Sequence, residues 1–180
     1  MLKRILAAAL LATASLAQAD APAPSLAGTW TLVAADVVHP DGKRDRDYGA
    51  APQGLLMVDQ ESRYTLQIFR SDRPRFASGD RKKGTPEEYS AAVLGASTHF
   101  GHVRLDTAGG LVIFSIESAS FPNYEGTEER RPYTLTGNEL SYRAKARPDG
   151  DVPISVWRRV EACEAPCMLR KGLSTSPWPG

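Results

Sequence analysis

Four polar side chains carry most of the chemistry this sequence can offer: His99, Glu117, Arg131 and Tyr133. An imidazole and a carboxylate can move protons as general acid and base when both face one site. In a strand, His99 keeps the parity of Val103 and Leu105 and so points inward with them, while His102 takes the opposite face. Glu117 closes an otherwise apolar run. Arg131 stands two residues before Tyr133, on the same strand face, and a guanidinium is a planar fork of donors suited to a carboxylate or an enolate. Plainer roles compete with these. A lone inward histidine serves a core as a hydrogen-bonded member, and Arg131 can simply pair with a nearby acid such as Glu128, which is the assignment the residues favour.

A second group falls in a long connection. Arg75 and Phe76, within Arg73-Pro74-Arg75-Phe76, would suit an apolar ligand with an anionic tip. Tyr124, within Asn123-Tyr124-Glu125-Gly126-Thr127, is expected at the same mouth, and Tyr64 and Tyr133 are expected to orient a ligand together with His99. No phosphate-cradling glycine loop, H-E-x-x-H, G-x-S-x-G or zinc-finger spacing occurs, which argues against a kinase, a zinc enzyme or a common hydrolase. The two cysteines, Cys163 and Cys167, have C-x3-C spacing and fit a local disulfide in an oxidising compartment. Two thiols are too few for a metal centre, and no cofactor is expected.

These groups must be held by something, and the chain begins with a segment to set aside. Lys3 and Arg4 form a positive start, Ile5–Leu16 is apolar, and Ala17-Gln18-Ala19 has the small-x-small pattern of a cleavage site. The apolar run is shorter than the roughly 20 residues that cross a bilayer. Residues 1–19 are therefore expected to be a signal peptide cleaved after Ala19, and the protein to be periplasmic or secreted. Without Lys3 and Arg4 the formal charge of +1 becomes −1, which gives no footprint for nucleic acid. Residues 20–26 read as a flexible leader, 27–160 as one domain, and 161–180 as a tail with the cysteine pair.

Within that domain, 15 glycines and 13 prolines in the chain signal many turns. Strands are expected at Gly28–Val38, with Trp30, Leu32 and Ala34 on one face, and at Gly54–Val58, Tyr64–Arg70, Thr98–Leu105, Leu111–Glu117, Arg131–Leu135, Leu140–Ala144 and Ile154–Trp157. The charged stretch Lys43–Asp47 reads as a loop. One helix is expected over about residues 86–95. Thr85 caps it, Pro86 suits its first position, and Glu88 completes a capping box. Tyr89, Ala92, Val93 and Ala96 have the spacing of a buried stripe, which a barrel end would cover. The fold class is all-β: about eight antiparallel strands in an up-and-down order, whose edges vanish if the last strand pairs with the first. An open sandwich is the alternative.

Gly28-Thr29-Trp30 is similar to the G-x-W motif of lipocalins, and Arg158 and Arg159 resemble the basic residue late in lipocalins that packs on that tryptophan. Further segments resemble the lipocalin-like domain family of bacteria and fungi: Pro52-Gln53-Gly54-Leu55-Leu56, Arg73-Pro74-Arg75-Phe76-Ala77, Gly84-Thr85-Pro86-Glu87-Glu88-Tyr89, His99-Phe100-Gly101 and Phe121–Thr127. The resemblance covers roughly residues 26–159. It implies a lipocalin-like barrel, with Trp30 and the two arginines as structural residues, and no catalytic residue. The function expected is binding of a small, mostly apolar ligand in or at the mouth of the barrel. A barrel enzyme of isomerase or cyclase type using His99 or Glu117, and a structural or envelope-stress protein without ligand, are the alternatives.

Overall fold

A computed structural model of the protein describes residues 24–161. Its strands are β1 (Gly28–Val38), β2 (Arg44–Arg46), β3 (Gln53–Val58), β4 (Arg63–Phe69), β5 (Ala96–Asp106), β6 (Leu111–Ala119), β7 (Glu128–Thr136), β8 (Glu139–Arg143) and β9 (Val152–Arg159), and its helix is α1 (Pro86–Leu94). Alternation drives the pattern. In β4, Tyr64, Leu66 and Ile68 are buried while Arg63 and Gln67 are exposed. Turns are equally specific. Asp59 accepts from the backbone N–H groups of Glu61 and Arg63 at 3.0 and 2.7 Å, which reverses the chain between β3 and β4. Gly137, at φ 56°, supplies the left-handed residue between β7 and β8.

Every strand from β3 to β9 pairs antiparallel with the next, β3 pairs with β1, and β9 returns to pair with β1. Eight strands thus close a barrel, and the register Trp30↔Arg159, Leu32↔Trp157, Val38↔Val152 runs the length of the seam. A bulge between Leu32 and Ala34 flips the parity of β1. As a result Ala35, not Ala34, joins Trp30 in the core cluster, which corrects the face expected for that strand. Trp30, Leu56, Leu66, Val112, Phe114, Leu140 and Trp157 fill the interior.

Two further expectations are corrected. The charged stretch Lys43–Asp47 contains β2, which pairs with the second half of β1. The reason is Asp36: its carboxylate is buried, and Arg44 and Arg46 reach it at 2.7 and 3.8 Å, so the arginines are held in extended chain by the charge they neutralise. The helix forms with its capping box as expected, but none of its residues is buried, and Val93 and Leu94 are 64% and 75% exposed. It leans on its own loop instead of covering the barrel. Phe76 meets Tyr89 edge to face at 5.4 Å, Glu88 accepts from the Ala77 N–H at 2.7 Å, and Arg73 packs on Gly95.

Candidate functional site

One end of the barrel is shut. Leu26 is buried there, the Trp30 indole N–H donates to its carbonyl at 2.9 Å, and the Arg159 guanidinium lies 4.0 Å from the Trp30 ring. Arg159 also donates to the carbonyls of Ser25, at 2.7 Å, and Ala27. Arg158, expected beside it, points away and reaches Glu139 at 3.4 Å, because adjacent residues in a strand take opposite faces.

The other end opens onto a cavity of about 320 Å³. Leu66 and Ile68 of β4, His99 of β5, Arg131 of β7 and Tyr142 of β8 form its floor and walls, with Tyr48 and Tyr124 also lining it. The Tyr64 hydroxyl and His99 Nδ1 are 2.7 Å apart. Burial keeps the phenol pKa above its ordinary value, so Tyr64 keeps its proton, and it pushes His99 down to about 3, with the positive charge of Arg131 acting in the same direction. His99 is thus neutral.

Arg131 is 8% exposed. Its guanidinium carbon stands 5.0 Å from the Phe114 ring and 5.3 Å from the Tyr142 ring, a cation held between two aromatic faces. Its Nε and the Tyr142 hydroxyl have no hydrogen-bond partner among the described residues. The expected pair with Glu128 does not form. Glu128 lies on the outer face and pairs with Arg130 at 2.6 Å and Arg104 at 3.8 Å, since strand parity sends it away from Arg131. Burial raises the Tyr142 phenol, and the charge of Arg131 opposes that shift.

The remaining sequence candidates divide. Tyr64, His99, Tyr124 and Arg131 surround or support the cavity. Tyr133 packs against the core nearer the shut end and does not line the cavity. Arg75 and Phe76 are absent from its walls: Arg75 is exposed, and Phe76 is engaged with Tyr89 in the helical loop. Glu117 is the extra residue of a bulge in β6 and faces outward, paired with His102 at 3.1 Å and Arg63 at 3.6 Å. It shares no site with His99, and a histidine held at about 3 is a poor base near neutral pH. Tyr142, Tyr48 and Glu129 line the cavity without having been singled out. Tyr142 was legible as the inward partner of Leu140, but nothing local marks which core tyrosine keeps an unmatched hydroxyl. Cys163 and Cys167, and residues 1–19, lie outside the described residues.

The family model of the lipocalin-like domain matches residues 27–160, and the chain belongs to that family. No match was found among curated proteins. Among solved structures, the crystal structure of a mutant of the fluorescent protein UnaG is similar at 14% identity over 75% of this chain and 96% of that chain, with a TM-score of 0.32. Among the described residues no helix is long and apolar enough to cross a membrane.

Proposed function

We propose that this protein is an exported small-molecule binder whose ligand occupies the open end of the barrel. One observation carries the reading. The interior is not filled throughout: it is solid from Trp30 to Phe114 and then gives way to a cavity of mixed lining, with Leu66, Ile68, Tyr48 and Tyr142 beside His99, Arg131 and, among others, Glu129 and Lys145. A barrel of eight strands has room for one small ligand. The proposed export rests on the leader and cleavage pattern of residues 1–19.

Native and denaturing mass spectra of the mature protein, purified from the compartment in which it accumulates, test the reading. A discrete extra mass that disappears on denaturation is the expected result and gives the ligand's formula. A bare mass, together with no thermal shift against a broad library of small amphipathic compounds, overturns it. A ligand at 100 times its Kd stabilises by roughly 2.7 kcal/mol, well within reach of that assay.

A further inference from the structure

We propose that Arg131 is the seat of a ligand carboxylate, so that the cavity takes a monocarboxylic acid with its acid group inward and its apolar body toward the mouth; this rests on the cavity being a ligand chamber. A buried guanidinium needs a counter-charge. Around Arg131 every nearby acid but one is committed elsewhere. Glu128 pairs with Arg130 on the outer face, Asp36 with Arg44, and Asp47 with Arg147. Glu129, two residues closer to the mouth on the same strand face, lines the cavity and makes no ion pair with Arg131 within 4.0 Å.

The guanidinium plane is fixed by Phe114 and Tyr142, so its donors are already aimed when a ligand arrives. Nε and the Tyr142 hydroxyl are shut off from solvent, so the terminal guanidinium nitrogens, which make no ion pair among the described residues, are the donors left to a ligand. His99, whose Nδ1 is taken up by the Tyr64 hydroxyl, lines the same cavity. A carboxylate supplies two oxygens and four lone-pair sites, the complement of this set of donors. Glu129, beside Arg131 on the same strand face, repels a second negative charge placed next to the seat, while the cation Lys145 lines the cavity in the connection after β8.

Calorimetric titration of the mature full chain with 2-naphthoate, 2-naphthamide and 2,6-naphthalenedicarboxylate tests this. The naphthoate is expected to bind at least about tenfold more tightly than the neutral amide, the difference a charge-assisted pair makes, and also more tightly than the dicarboxylate. The preference for acid over amide should vanish in Arg131→Met and persist in Arg130→Met, whose charge is on the outer face. Equal affinity for acid and amide in the unsubstituted protein overturns the carboxylate seat and leaves the chamber standing. Binding of neither at millimolar concentration overturns both. The comparison within the unsubstituted protein decides the matter even if Arg131→Met fails to fold.

Discussion

Tyr64 and His99 share one hydrogen bond in a space that excludes a charged imidazole, and the consequence is measurable. In the folded protein His99 titrates at about 3, against an ordinary 6.5 when the chain is unfolded. Below pH 6.5 the unfolded chain takes up a proton that the folded one refuses. Stability is therefore complete above about pH 6.5 and falls as the pH drops towards 3, by up to about 1.4 kcal/mol per pH unit from this residue. Urea unfolding at pH 7.5, 6.0 and 5.0 should show that decline, and His99→Gln should flatten it. An unchanged slope in the variant would mean that other groups dominate the acid response. The inward direction of His99 was readable from its parity with Val103 and Leu105. Its bond to Tyr64 was not, because the partner lies 35 residues away in the neighbouring strand and only the β4–β5 register aligns them. Arg131 shows the same division: its face was legible, but its lack of a partner depends on where Glu128 and Glu129 point.

At the scale of single elements, strands and turns were mostly legible because alternation and turn chemistry are local. Bulges were not. Each adds one residue that simple parity cannot anticipate, and they account for the misassigned face of Ala34 in β1 and for Ala119 of β6 turning to the core opposite His99, whereas Glu117 faces outward by the plain alternation that buries Val112, Phe114 and Ile116. The second bulge also fixes Gly101, where an added Cβ would run into the Ser115 carbonyl oxygen of the adjacent strand. Gly101→Ala is expected to destabilise by about 1–3 kcal/mol, since neither backbone can retreat without breaking the ladder. Thermal unfolding checks this, and a variant within 0.5 °C of the parent would show that the bulge can relax. The shut end gives a paired forecast. Arg159→Ala removes the cation over Trp30 and the donors to Ser25 and Ala27, and should cost about 2 kcal/mol. Arg158→Ala, with only a surface contact to Glu139, should change stability by less than about 0.5 kcal/mol. Equal effects would mean that the Trp30–Arg159 clasp contributes nothing beyond the strands it joins. The helix illustrates a different limit: its caps are encoded locally, but whether its apolar stripe is covered is decided by tertiary packing, and Val93 and Leu94 stay exposed.

For the whole molecule, closure is the property that sequence could only argue for. Edge avoidance favoured pairing the last strand with the first, the likeness of Trp30 and Arg159 to the lipocalin pair pointed the same way, and the β1–β9 seam fulfils it. The shut and open ends follow from that closure, as the G-x-W start of β1, Leu26 and Arg159 meet at one rim while the connections after β1, β4, β6 and β8 ring the other. The ends of the chain remain proposals from sequence alone, and they make one joint forecast. A leader ending at Ala17-Gln18-Ala19 should deliver the protein beyond the cytoplasm, where thiols oxidise. Expressed with its full sequence in a bacterium, the protein should appear in the periplasm or medium with a mass that begins at Asp20. That mass should also be lower by two hydrogens for a Cys163–Cys167 disulfide, and reduction should restore them. An intact Met1 start with free thiols would remove both the export proposal and the disulfide together. Cleavage with free thiols would keep export and leave the two cysteines without the role that their spacing suggests.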